Sequence, residues 1–134
     1  NLDYLPQSEE ETGFDRLLAE TCVYYAALRH IGGWKETYTP QGRVYVQTGK
    51  DLRRVKAIIG SGGFLSATHS ADVMRRPLQK LRTYGQERKL LPEKPLFYAD
   101  RQYLFSLLGN LVGKYPAEAT ALAVASLENL NDED

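Results

Sequence analysis

Val55-Lys56-Ala57-Ile58-Ile59-Gly60-Ser61-Gly62-Gly63 is the stretch on which the reading of this chain turns. The run from Val55 to Ile59 is apolar and rich in β-branched side chains, and it breaks at once into glycines, the pattern of a buried strand entering a tight turn. In open α/β sheets ligands bind at the edge where such strands end. Glycines at that edge permit positive φ and let a flat ligand lie directly against the backbone.

Upstream, Ser8 followed by Glu9, Glu10 and Glu11 matches the S-x-x-E capping box, so a helix is expected to begin there. Phe14, Leu17, Leu18, Thr21, Tyr25 and Leu28 recur at three- and four-residue spacing up to the pair Gly32 and Gly33, which predicts a helix over 9–31 with that stripe inward. Residues 37–48 change period: Tyr38 and Thr39 lead into Pro40-Gln41-Gly42, and Val44 and Val46 then alternate with Tyr45 and Gln47, a peripheral hairpin. Downstream, Ser70 is a candidate N-cap, but Pro77 interrupts the helical pattern, so residues 70–91 are read as one or two short helices. Leu96 to Ala99 is a second strand candidate, and Asp100 can cap a helix carrying Leu104, Leu107, Leu108 and Leu111. Pro116 opens a last, alanine-rich helix over 117–129, and the tail Asn131-Asp132-Glu133-Asp134 is expected to fray.

Strands separated by helices imply an α/β fold with a parallel pair and a right-handed crossover. Two central strands make a thin sheet for so many apolar helix faces, so the missing strands are expected to lie before residue 1. With 134 residues and 43% hydrophobic content, one domain is expected. Lys+Arg and Asp+Glu both number 17, which excludes a global charge that would draw the molecule to nucleic acid or anionic lipid. Cys22 is the single cysteine, and the chain carries neither a secretory h-region nor an apolar run long enough for a bilayer, so a reducing, cytoplasmic setting is expected. The start at Asn-Leu-Asp, without Met, fits processing or a domain cut from a longer protein; the second is the expectation.

The glycine turn admits several nucleotide readings. A P-loop requires G-x-x-x-x-G-K-[ST], and no Gly-Lys-Ser/Thr follows. A dinucleotide fingerprint requires a third glycine where Leu65 stands. The remaining ligand reading is the adenosine motif of the actin/Hsp70/sugar-kinase superfamily, a hydrophobic strand and then Gly-x-Gly-Gly packed against adenine and ribose. A plain structural turn stands beside it.

The wider run carries a resemblance. Leu28-Arg29-His30-Ile31-Gly32, Tyr38-Thr39-Pro40 with Gly42-Arg43, Gly49-Lys50-Asp51-Leu52 with Val55-Lys56, and Ile58-Ile59-Gly60-Ser61-Gly62-Gly63 occur in the order and approximate spacing of the glutamate mutase accessory family, often labelled MutL or GlmL and unrelated to the mismatch-repair protein of similar name. Tyr98-Ala99-Asp100, Tyr103, Leu107-Leu108-Gly109, Tyr115-Pro116 and Ala119 resemble that family's C-terminus, and the similarity spans residues 14–128. Ser61 stands where threonine is expected, and Phe64 where a smaller residue is common. The resemblance implies an actin-like, ribonuclease H-like ATPase lobe of short parallel strands, flanking helices and a β-hairpin, with residues 1–134 as the C-terminal part of the second lobe. It further implies an ATP-dependent, chaperone-like reactivating factor for a cobalamin-dependent glutamate or amino mutase, which loosens the mutase so that damaged cobalamin can exchange. Gly60, Ser61, Gly62, Gly63, Phe64 and Asp100 would contact adenosine. No Asp-x-Gly-x-[ST] or Asp-x-Gly-Gly occurs, so magnesium and phosphates would be held elsewhere in the full-length protein, and this segment would neither hydrolyse ATP nor bind cobalamin directly. The implied partners are mutase subunits and ATP or ADP, with no membrane and no nucleic acid.

Each candidate also has a structural reading. Asp100 can be a helix cap, Gly109 and Gly113 a place where helices approach, His30 and His69 exposed or structural, and Cys22 a buried thiol. Arg75, Arg76, Lys80, Arg82, Arg88 and Lys89, with Tyr84 among them, form a basic cluster that is either a solvated face or a docking surface. Lys50 and Asp51 can pair or cap locally, or take part at a lobe cleft. The alternative function is therefore a non-enzymatic module that binds protein or nucleic acid.

Overall fold

The structure, a computed structural model, describes residue 6 and residues 8–67, 69–83 and 88–131, with Thr83 known by its backbone alone. The first helix, α1, spans Glu9–His30, and Ser8 caps it by accepting the Glu11 amide at 3.2 Å. The strands β1 (Gly33–Thr39) and β2 (Gly42–Thr48) form the hairpin, in which Thr39 faces Gly42 across Pro40-Gln41. The decisive strand is β3 (Ala57–Gly60), followed by the helices α2 (Gly63–Ala67) and α3 (Asp72–Thr83). Then come β4 (Arg88–Lys89), β5 (Leu96–Asp100), the single turn α4 (Phe105–Leu108), α5 (Pro116–Ala125) and β6 (Leu127–Asn129).

The fold is mixed α/β, with the described strands in two sheets ordered β2-β1-β4 and β3-β5-β6. β3 and β5 pair in parallel, Ala57 opposite Leu96 and Gly60 opposite Ala99, as the helix-separated strands predict. β6 pairs antiparallel with β5 inside a stretch read as the end of the last helix, which in fact stops at Ala125. The strand β4 likewise falls where only helix is expected. Tyr84 lies outside the described residues, as do Asp132 to Asp134 of the tail.

Helix α3 organises the core. Val73, Met74, Pro77 and Leu81 are buried on it, and Leu78 joins the cluster around Phe97, Ala99 and Leu130 to the one around Ile31 and Leu91. Pro77 is inside this helix and does not break it. It forfeits a backbone hydrogen bond, but each large buried side chain beside it returns about 1.5–3 kcal/mol, enough to carry the helix through.

Of the stripe expected to bury α1, Leu28 packs and the rest does not. Phe14, Leu17, Leu18 and Tyr25 face outward, Leu18 at 63% exposure, while Tyr24, Ala27 and Leu28 lie against the core. Toward the start of the helix the inward side is polar, with Arg16 bonded to Glu20 at 3.2 Å and reaching Asp72 of α3 at 3.9 Å. Cys22 is exposed on this helix rather than buried. The glycines after α1 also have a different role from the one expected. Ile31 is extended at the helix end, and Gly32 presses against the hairpin base, where an added Cβ would lie 2.3 Å from the Thr48 carbonyl oxygen. Among the described residues no helix is long and apolar enough to cross a membrane.

Candidate functional site

The carboxyl ends of β3 and β5 bring together segments far apart in sequence. Gly60, the last residue of β3, is buried, and a Cβ on it would meet the Met74 sulfur at 3.0 Å. The backbone then turns outward: Ser61 is exposed, Gly62 has φ +108°, and Gly63 opens α2. A Cβ on Gly62 or Gly63 would meet nothing within 4 Å. The turn therefore offers, at a half-buried Gly62 and an exposed Gly63, backbone with no side chain of its own and open space on the side a Cβ would take. Phe64, in the first turn of α2, is half-buried at its border.

Asp100 ends β5 beside this turn and is 0% exposed. Its Oδ1 accepts the Leu104 amide at 2.9 Å, and its Oδ2 accepts the Phe105 amide at 2.9 Å and the Ser61 hydroxyl at 2.9 Å. Burial pushes the carboxyl up, but the Phe105 and Leu104 amides and the Ser61 hydroxyl together outweigh it and hold it below the ordinary carboxylate value. Asp100 is therefore not the N-cap expected, a position that Leu104 holds before a helix of only Phe105–Leu108; it binds the amides at the start of α4 from further back in the chain and also binds the glycine turn. Tyr103, between them, has φ +54°, a conformation uncommon for a non-glycine residue.

Next to this pair, Arg101 bonds Glu128 of β6, donates to the Ser66 carbonyl at 2.7 Å and contacts His69 Nδ1 at 2.7 Å. The guanidinium lowers the Glu128 carboxyl, and its own value rises in turn. This cluster clamps the end of α2 to the edge strand. Neither it nor the Ser61–Asp100 bond is visible in sequence, because partners 39 and 27 residues apart leave no local spacing signal.

The other candidates disperse. Gly109 and Gly113 do not admit a neighbouring helix: a Cβ at Gly109 would meet only the Phe105 and Ser106 carbonyls at ordinary distances, and one at Gly113 nothing within 4 Å. The basic cluster is engaged internally, with Arg76 on Asp72 at 2.8 Å, Arg82 on the Pro92 carbonyl, and Arg88 stacked 5.4 Å from the Trp34 ring centre. Asp51 binds Arg53 at 2.7 Å, and this partner lowers its carboxyl to about 2. His30 is exposed at the end of α1. Among the described residues no group of His, Cys, Asp and Glu is arranged to hold a metal ion.

The sequence pattern of the MutL protein family matches residues 1–127. Protein MutL of Clostridium tetanomorphum is 34% identical over 126 residues, an alignment covering 91% of this chain and 26% of that protein. The chain thus spans about a quarter of its relative's length. No solved structure matches the chain. A match over nearly the whole chain, at that identity and including the glycine turn, shows that the chain belongs to the MutL family.

Proposed function

We propose that this chain is the adenosine-binding, C-terminal segment of an ATP-dependent reactivating factor for an adenosylcobalamin-dependent glutamate or amino mutase, built as part of an actin-like ATPase lobe. The observation that carries the nucleotide half of the proposal is the bare backbone of Gly62 and Gly63 at the carboxyl edge of the parallel pair β3 and β5. That edge is where α/β sheets take ligands, and a surface lacking Cβ atoms accepts a flat base at van der Waals distance. Membership in the MutL family supports the choice of a mutase as partner.

The residues present suit the nucleoside and not the triphosphate. Phosphoryl transfer depends on charge placed around the γ-phosphate, and the glycine turn presents none. In this proposal ATP and magnesium are held mainly by the rest of a longer, cytoplasmic protein, and this segment binds no cobalamin. Its own part is to hold the base, so that closing of the two lobes on the nucleotide gains affinity. Such a ligand shifts the protein toward the closed form only by the difference in its affinity for the closed and open forms.

Photo-crosslinking of the full-length protein with an azidoadenine nucleotide tests this reading. Label is expected on the peptide containing Gly60 to Phe64, competed away by ATP. Labelling confined to other peptides would contradict it.

A further inference from the structure

We infer that Ser61 and Asp100 are a positioning pair that fixes the glycine turn for its ligand and couples it to the start of α4; the inference rests on the nucleotide reading above. A helix cap alone explains little of what Asp100 does. The cap of α1 is the hydroxyl of an exposed serine, Ser8, with one bond at 3.2 Å. At α4, a helix of a single turn, a carboxylate is taken out of water altogether, to 0% exposure. Burying that charge is costly unless donors surround it, and two backbone amides and the Ser61 hydroxyl do so.

The arrangement has a direction. The Leu104 and Phe105 amides belong to the segment Asp100 itself starts, so they hold the carboxylate in place with the Tyr103 amide bonded to the Asp100 carbonyl at 3.0 Å. Ser61 is the member that belongs to the other turn, 39 residues away. It sits between the buried Gly60 and the half-buried Gly62, so its hydroxyl decides how the bare backbone at Gly62 and Gly63 is presented. Without that bond, the φ +108° kink at Gly62 keeps the α2 hydrogen bond from the Ser66 amide to the Gly62 carbonyl, at 2.7 Å, and loses its tie to β5 through Asp100. Ser61 and Asp100 need not touch the nucleotide; they act through the turn.

The test is ATP binding to the full-length protein, by calorimetry, for wild type, Ser61→Ala and Ser61→Thr, together with amide exchange at Leu104 and Phe105. Ser61→Ala keeps the backbone donors to Asp100 and is expected to fold. It should weaken ATP by about tenfold, the effect of losing one charge-assisted hydrogen bond. Ser61→Thr restores the hydroxyl and should restore the affinity. ATP should slow exchange at Leu104 and Phe105 in wild type and in Ser61→Thr, and not in Ser61→Ala. A folded Ser61→Ala protein that binds ATP as wild type does overturns the positioning role while leaving the nucleotide reading standing. A wild-type protein that binds no ATP overturns both.

Discussion

Gly32 shows how a single atom can set a local structure. An added Cβ would lie 2.3 Å from the Thr48 carbonyl oxygen and 2.7 Å from the Gly49 carbonyl carbon, both backbone atoms that cannot swing away. Gly32→Ala should therefore destabilise the protein by about 1–3 kcal/mol, the range of an overpacked site, read as a lower urea midpoint. The glycine pair is conspicuous in the sequence, but its purpose is not, because the crowding atoms come from the far end of a hairpin. Asp100 has a pH signature. Its folded value is depressed below the ordinary 3.8, so its contribution to stability is complete above 3.8 and is lost as pH falls through the depressed value. Asp100→Asn should be less stable than wild type at neutral pH, with the gap closing as denaturation is followed to pH values below 3.8. A gap independent of pH would mean that the carboxylate charge is not what Ser61, Leu104 and Phe105 hold.

At the scale of elements, sequence patterns succeeded where hydrogen bonding is local or a short run is rich in β-branched side chains, although β3 is not the buried strand expected: Gly60 is buried, while Ala57 and Ile59 are exposed. The capping box at Ser8 starts α1, Pro116 opens α5, and the apolar run before Gly60 is a strand parallel to β5. They failed where partners are remote. β6 has only the residues Leu127–Asn129, too few for a periodic signal, and exists because the edge of β5 is there to pair with. On α1 the larger apolar side chains suggested the inward face, yet of that stripe packing against α3 keeps Leu28 and adds Tyr24 and Ala27. Substitutions can separate these faces in this chain. Leu81→Ala, at a side chain 1% exposed in α3, should cost about 2–5 kcal/mol, whereas Leu18→Ala should stay within about 0.5 kcal/mol by urea denaturation. Equal costs would place Leu18 in a packed interior.

For the whole molecule, the site was legible in composition and order and illegible in its linkages. The glycine turn stands out as a motif, while the Ser61–Asp100 and Arg101–Glu128 bonds that lock it appear only when the strands are assembled. The chain corresponds to about a quarter of its Clostridium tetanomorphum relative, and the proposal divides the labour accordingly. The 134-residue chain alone should release phosphate from ATP no faster than buffer does, because in the proposal it supplies a surface for the base, and its sequence contains no Asp-x-Gly-x-[ST] or Asp-x-Gly-Gly motif for the phosphates. Turnover that fell with Lys50→Ala would move catalytic groups into this segment. If bare backbone at the glycine turn receives adenosine, titrating ATP into the full-length protein and its Gly63→Val variant in a calorimeter will distinguish the two. Gly63 has open space for a side chain and no positive φ, so the variant should fold, unlike a change at Gly62 that strains φ +108°. ATP affinity of the variant should fall by about tenfold or more, the equivalent of roughly 1.4 kcal/mol; a folded variant with unchanged affinity would rule out adenosine at this turn.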